Sequence, residues 1–139
     1  MKIELNRLND AVHFEATGSG DVKVHIDGSE AIGGQGLGVR PMELVLMALG
    51  SCSSLDLISI LKKQRQEITD FSVDVNGDRR EEIPHIFTKI HILFRLKGKI
   101  DQAKAEKAAE LAVKKYCSVH DMLVAGGVEV TYSFEILES

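Results

Sequence analysis

The stretch RPMELVLMALGSCSSLDLISILKKQRQ, Arg40 to Gln66, decides how this chain is read. It reads as one long helix, nearly apolar on every side from Leu44 to Leu49. Pro41 suits the first turn, where its missing N–H costs nothing. A helix apolar all round is normally buried, in a core or in a membrane. Glu43, Gly50, Ser51, Ser53, Ser54 and Asp56 interrupt the run and weigh against a membrane span. Cys52, one of 2 cysteines in the chain, sits inside that short polar patch.

Working outward from the helix, the hydrophobic period changes from helical to two. On its N-terminal side, Ile3 and Leu5 open a strand, Val12, Phe14 and Ala16 share the face of a second, and Val22, Val24 and Ile26 that of a third. The pattern is that of a small antiparallel meander with one face buried. Between Gly28 and Val39 a glycine-rich segment carries no Gly-Lys-Ser/Thr ending and no dinucleotide fingerprint, so it reads as a flexible connection. On the C-terminal side, Phe71, Val73 and Val75 alternate, as do Ile90, Ile92, Phe94 and Leu96. Asp101 is a plausible N-cap for a second helix with an apolar stripe at Ala105, Ala108, Ala109, Ala112 and Val113. Tyr116-Cys117-Ser118 breaks that helix, and Val128 to Ile136 forms a last strand.

The order of strands, helix, two strands, helix, strand implies an α+β fold, with mainly antiparallel sheets packed on helices. At 139 residues the chain is expected to form one domain, 1–139. The central helix is too apolar for a single covering layer, so a second subunit is expected to supply the missing cover. A formal charge of −4 argues against a nucleic-acid partner. The N-terminus MKIELNRLND has no apolar signal core, which favours a cytoplasmic protein with reduced thiols.

Cys52 and Cys117 are the main candidates for chemistry. Each lies where the chain passes from apolar to small and polar. Buried free cysteine commonly acts as a small hydrophobe, and local sequence leaves that alternative open. A reactive thiol needs a cation or oriented donors to ionise at neutral pH. Cys117 and His120 are spaced to share a helix face, but a zinc site would need further ligands. A hydrolase using His120 to activate a thiol is a third option. No metal centre is expected. Glu43, a charge in the first helical turn, either complements the helix dipole or belongs to a site.

The glycine-rich loop, RPMELVLMALGSCSSLD, RREEIPHIFTK and KKYCSVHDML, in that order, resemble the OsmC/Ohr family over essentially the whole chain. The Pro-Met-Glu-Leu version is similar to the OsmC-like (YhfA-like) branch rather than the Ohr branch. That resemblance implies an intertwined homodimer with the long helix buried between sheets from both subunits. It also implies a thiol peroxidase for organic hydroperoxides, with Cys52 attacking and Cys117 resolving through a Cys52–Cys117 disulfide. A dithiol, lipoyl groups in characterised relatives, would reduce the disulfide; no bound cofactor is required, and no membrane or nucleic acid is implied. Peroxidases of the family place a glutamate directly after the helix-opening proline, where it holds an arginine over the thiol. Here that position is Met42, with Glu43 one residue later. The loop Gly18 to Asp21, where the Ohr-type arginine is expected, holds none, which makes Arg40 the candidate activating residue ahead of Arg79 and Arg80. The alternative is a non-catalytic relative that binds a small apolar or electrophilic ligand at the dimer groove.

Overall fold

A computed structural model describes residues 1–138. Its architecture is α+β: two three-stranded sheets, a long helix and shorter helical segments. The chain forms two compact units, Met1–Val45 and Leu46–Ser139.

In the first unit, β1 (Glu4–Arg7), β2 (Phe14–Thr17) and β3 (Lys23–Ile26) form an antiparallel meander in that order. Leu5 lies opposite Ala16, and Ala16 opposite Val24, so the apolar residues share one face as their alternation requires. That face is not buried, contrary to expectation. Leu5 is 53% exposed and Val22 82%, beside an apolar groove of about 460 Å³ that Ile3, Ala16, Ile26 and Leu44 also line. Strands of four residues fold back on one another without any element of their own unit to lay across them.

The glycine-rich segment is more ordered than a flexible connection. Asp27 is buried, and its carboxylate accepts the backbone N–H groups of Gly28 at 2.8 Å, Gln35 at 2.9 Å and Leu37 at 3.1 Å. The N–H donors of Gln35 and Leu37 hold its carboxyl below the ordinary range, against the opposing effect of burial. A Cβ on Gly34 would lie 1.8 Å from the carbonyl oxygen of Gly28, so the loop closes only with glycine there.

Helix α1 (Pro41–Lys63) opens with the Glu43 carboxylate accepting the Arg40 backbone N–H at 2.9 Å. This is half of a capping box, and it ties down a backbone group at the helix entrance. At the other end Arg65 adopts φ +59°, while Arg65 N–H bonds Lys62 C=O and Gln66 N–H bonds Leu61 C=O. That is the Schellman closure, here with arginine in the left-handed position normally taken by glycine.

In the second unit, β4 (Glu67–Arg79) and β5 (Phe87–Lys99) pair antiparallel, and β6 (Glu129–Leu137) joins β5 in parallel. The second sheet is therefore mixed. Two helices lie between β5 and β6, and a crossover of that kind returns the chain in the same direction. Central β5 buries Phe87, Ile90, Ile92, Phe94 and Leu96. Helix α2 (Gln102–Glu110) is capped by Asp101, which accepts the Lys104 N–H at 3.0 Å, as expected. Its Ala105, Ala108 and Ala109 are fully buried, with Ala112 and Val113 beyond them.

From Leu46 onward α1 buries one face, made of Leu49, Gly50, Ser53, Ser54, Leu57 and Leu61. A Cβ on Gly50 would come within 2.7 Å of Val75 Cγ2, which lets the helix backbone pass close over β4. Met47, Leu55 and Ile58 on the helix are exposed. By length and composition α1 matches a membrane-spanning helix. Its serines, however, are satisfied within the helix. Ser51 Oγ donates to Met47 C=O (2.7 Å), Ser53 Oγ to Leu49 C=O (2.8 Å) and Ser54 Oγ to Gly50 C=O (2.6 Å).

Candidate functional site

Both cysteines are free thiols, and the fold of the second unit brings them together. Cys52 lies on α1 between back-bonded serines and is half-buried. Cys117 is 1% exposed and stands where α2, after a π-helical segment (Leu111–Tyr116), gives way to α3 (Ser118–Ala125). A π turn carries an extra residue and is often found beside a functional group. Here it ends directly at Cys117, whose backbone turns extended at φ −74°, ψ 106°. The sequence break at Tyr116-Cys117-Ser118 is thus a change of helix type followed by a new start.

Cys117 is the N-cap of α3, and its sulfur accepts the His120 backbone N–H at 3.4 Å. The sulfur takes the role a serine or aspartate oxygen usually has at this position. On its other side Ser53 Oγ lies 3.4 Å from Cys117 Sγ. The Cys52 thiol lies close enough to influence the Cys117 thiol electrostatically.

The electrostatics of Cys117 have opposing causes. Burial pushes its thiol up most strongly; the Ser53 hydroxyl and the His120 N–H pull it down, and the contact with Cys52 adds to the upward push. The net direction is up, so at neutral pH Cys117 rests as the protonated thiol.

Arg40 and Glu43 are both exposed, and the carboxylate of Glu43 is engaged with the Arg40 backbone. Arg79 Nε donates to His85 C=O at 2.6 Å and Arg80 Nε to Pro84 C=O at 2.8 Å, so both are tied to the connection between β4 and β5. His120 meets Cys117 through its backbone, while its ring Nδ1 lies 3.1 Å from Asp121 Oδ1. Among the described residues, no group of three or more His, Cys, Asp or Glu side chains converges as a metal centre. His91 sits between Thr131 Oγ1 (2.7 Å) and Ser133 Oγ (2.8 Å), and His13 Nε2 lies 2.9 Å from His25 Nδ1.

Sequence reasoning missed Ser53 as a site residue. It read the Ser-Cys-Ser-Ser run as a polar interruption. Helical geometry was the available signal: successive residues differ by about 100°, so only one side of the run can face the core.

The model of the family described as OsmC-like protein matches residues 34–133. Protein YhfA of Escherichia coli K12 is 44% identical over 98 residues, covering 70% of this chain and 72% of the relative. Among solved structures, a hypothetical protein from Aquifex aeolicus VF5 superposes with a TM-score of 0.85 at 33% identity, covering 99% of this chain and 96% of that one. The organic hydroperoxide resistance protein OhrB of Bacillus subtilis superposes with a TM-score of 0.63 at 21% identity, each chain covered to 96%. This last likeness is one of fold.

Proposed function

Because the chain belongs to the OsmC-like protein family, we propose that it is a two-cysteine thiol peroxidase that reduces organic hydroperoxides. The observation that carries this reading is the contact between an accessible thiol, Cys52, and a buried, protonated one, Cys117. The name of OhrB, an organic hydroperoxide resistance protein, supports the same substrate class.

The chemistry follows from that arrangement. The Cys52 thiolate attacks one peroxide oxygen, the O–O bond breaks, and the alkoxide leaves and is protonated to the alcohol. Cys52 is then a sulfenic acid. Cys117 loses its proton, attacks the Cys52 sulfur and displaces hydroxide, which leaves as water, forming the Cys52–Cys117 disulfide. A dithiol, such as a lipoyl group, restores both thiols by exchange and is itself oxidised to a cyclic disulfide. The working form in this proposal is a homodimer, supported by the apolar faces left open on the meander and on α1.

One equivalent of cumene hydroperoxide should remove both free thiols within seconds and give an intramolecular Cys52–Cys117 crosslink in the peptide map. Two thiols still titratable after prolonged exposure would sink the peroxidase reading.

A second reading has its own observation. Glu43 is spent on a backbone N–H, and Arg79 and Arg80 on carbonyls, rather than on orienting a guanidinium over Cys52. This favours a non-catalytic protein holding a small apolar or electrophilic ligand at a dimer groove. A co-purified ligand in native mass spectra, together with unreactive thiols, is the result that would select it.

A further inference from the structure

Ser53 touches the resolving sulfur and has one hydroxyl hydrogen for two acceptors. Leu49 C=O is 2.8 Å from Ser53 Oγ and Cys117 Sγ is 3.4 Å from it, in a site where Ser53 is fully buried. While Cys117 is a neutral thiol, the helical carbonyl is the better acceptor and takes the hydrogen. A hydroxyl rotates about its C–O bond without moving a heavy atom. When the sulfur becomes anionic, the charged acceptor is the stronger one and the hydrogen turns onto it.

Access decides where this matters. In a Cys52–Cys117 disulfide an incoming thiolate must approach along the S–S axis, and a 1% exposed Cys117 offers no line of attack. Cys52, half-buried, does. Attack at Cys52 forces Cys117 to depart as a thiolate into a buried site, where desolvation makes it a poor leaving group. Two donors stand ready at that sulfur, the Ser53 hydroxyl and the His120 backbone N–H.

We propose that Ser53 is the leaving-group residue of the reductive half-reaction: it directs the reductant to Cys52 by making buried Cys117 a viable thiolate to expel. The step balances as ordinary exchange. The reductant's thiolate forms a bond to Cys52 Sγ and the Cys52–Cys117 bond breaks. Its electron pair stays on Cys117 Sγ, held by Ser53 and His120 until a proton from water arrives. For a dithiol reductant, the second thiolate then attacks its own sulfur in the mixed disulfide and frees Cys52. The protein disulfide is reduced and the dithiol oxidised.

The inference rests on the disulfide chemistry proposed above, and diamide separates the two. Diamide oxidises paired thiols without a peroxide, so the crosslinked protein can be prepared whether or not the chain is a peroxidase. A diamide crosslink without a hydroperoxide crosslink overturns the peroxidase reading alone; failure with diamide overturns this inference.

With the crosslinked wild-type protein, a brief pulse of 2-mercaptoethanol followed by acid quench and alkylation should place the mercaptoethanol adduct on Cys52 and the alkyl group on Cys117. The reverse placement overturns the proposal. Crosslinked Ser53→Ala should be reduced by dithiothreitol at least about tenfold more slowly than wild type, the scale of one lost hydrogen bond to a charged group. An equal rate overturns it. In a Cys52→Ser background the remaining thiol is followed by its thiolate absorbance. Adding Ser53→Ala should move that titration to higher pH, a shift that a merely structural serine would not cause. No shift counts against the assignment.

Discussion

At the scale of the residue, the two cysteines differ less in chemistry than in surroundings. Cys52 has solvent within reach, whereas Cys117 has a helix start, a serine hydroxyl and a protein interior around it. Cys52→Ser should abolish hydroperoxide consumption; turnover at the wild-type rate would remove Cys52 as the attacker. Cys117→Ser should still react once at Cys52 and then stall as a sulfenic acid, detected as a dimedone adduct. Rapid repeated turnover in that variant would show that the resolving thiol lies elsewhere. The sequence made both thiols legible because small polar residues interrupt apolar runs around them. It could not reveal their distance, since 64 residues separate them, nor the hydroxyl of Ser53, whose placement depends on which way one turn of helix faces.

Asp27 shows a residue whose role is purely local. Its carboxyl is held below the ordinary range by the N–H groups of Gln35 and Leu37. A depressed carboxyl contributes stability that is fully present above the unfolded value, about 4, and is lost as pH falls through the folded value. Asp27→Asn should therefore loosen the 28–39 loop at neutral pH, seen as faster amide exchange there, and flatten the acid dependence that wild type shows below about pH 4. Identical exchange in both proteins would contradict that role. An aspartate directly before a glycine-rich run was visible in the sequence, but nothing in the composition said that several loop amides would converge on it.

At the scale of the element, α1 was legible to within three residues at each end, because Pro41 fixes its start. Its end depends on Arg65 in the left-handed conformation, a feature that local sequence does not signal. Arg65→Gly should stabilise the protein by about 1 kcal/mol by relieving the Cβ contact, read as a higher urea midpoint. An unchanged or lower midpoint would mean that the arginine side chain compensates. The strands of the second sheet were readable from their alternation, and so was the Asp101 cap. The parallel placement of β6 was not, because alternation reports which face a residue occupies and says nothing of strand direction.

At the scale of the whole molecule, the sequence pointed to an α1 too apolar for one covering layer, and the chain indeed leaves Met47 and Leu55 exposed on that helix. The meander leaves its own apolar face open. In the proposed homodimer these surfaces meet a second copy. Sedimentation at micromolar concentration should then give twice the 15.3 kDa of one chain. Leu55→Glu should weaken association at least tenfold, since a charge would be carried into an apolar interface. A wild-type monomer at that concentration would overturn the dimer.

The parallel pairing of β6 with β5 also sets a schedule for synthesis. The hairpin of β4 and β5 can form as soon as both strands leave the ribosome, but the crossover must be translated before Cys117 reaches its place beside Cys52. At about 5–20 residues per second, the 65 residues from Ser53 through Cys117 take roughly 3 to 13 s to appear. In the proposed reaction, every newborn chain for those seconds carries Cys52 without the Cys117 that would resolve it. On that proposal an oxidant encountered then would drive Cys52 toward sulfinic acid rather than a disulfide, which makes translation under peroxide stress the moment of greatest exposure to irreversible loss.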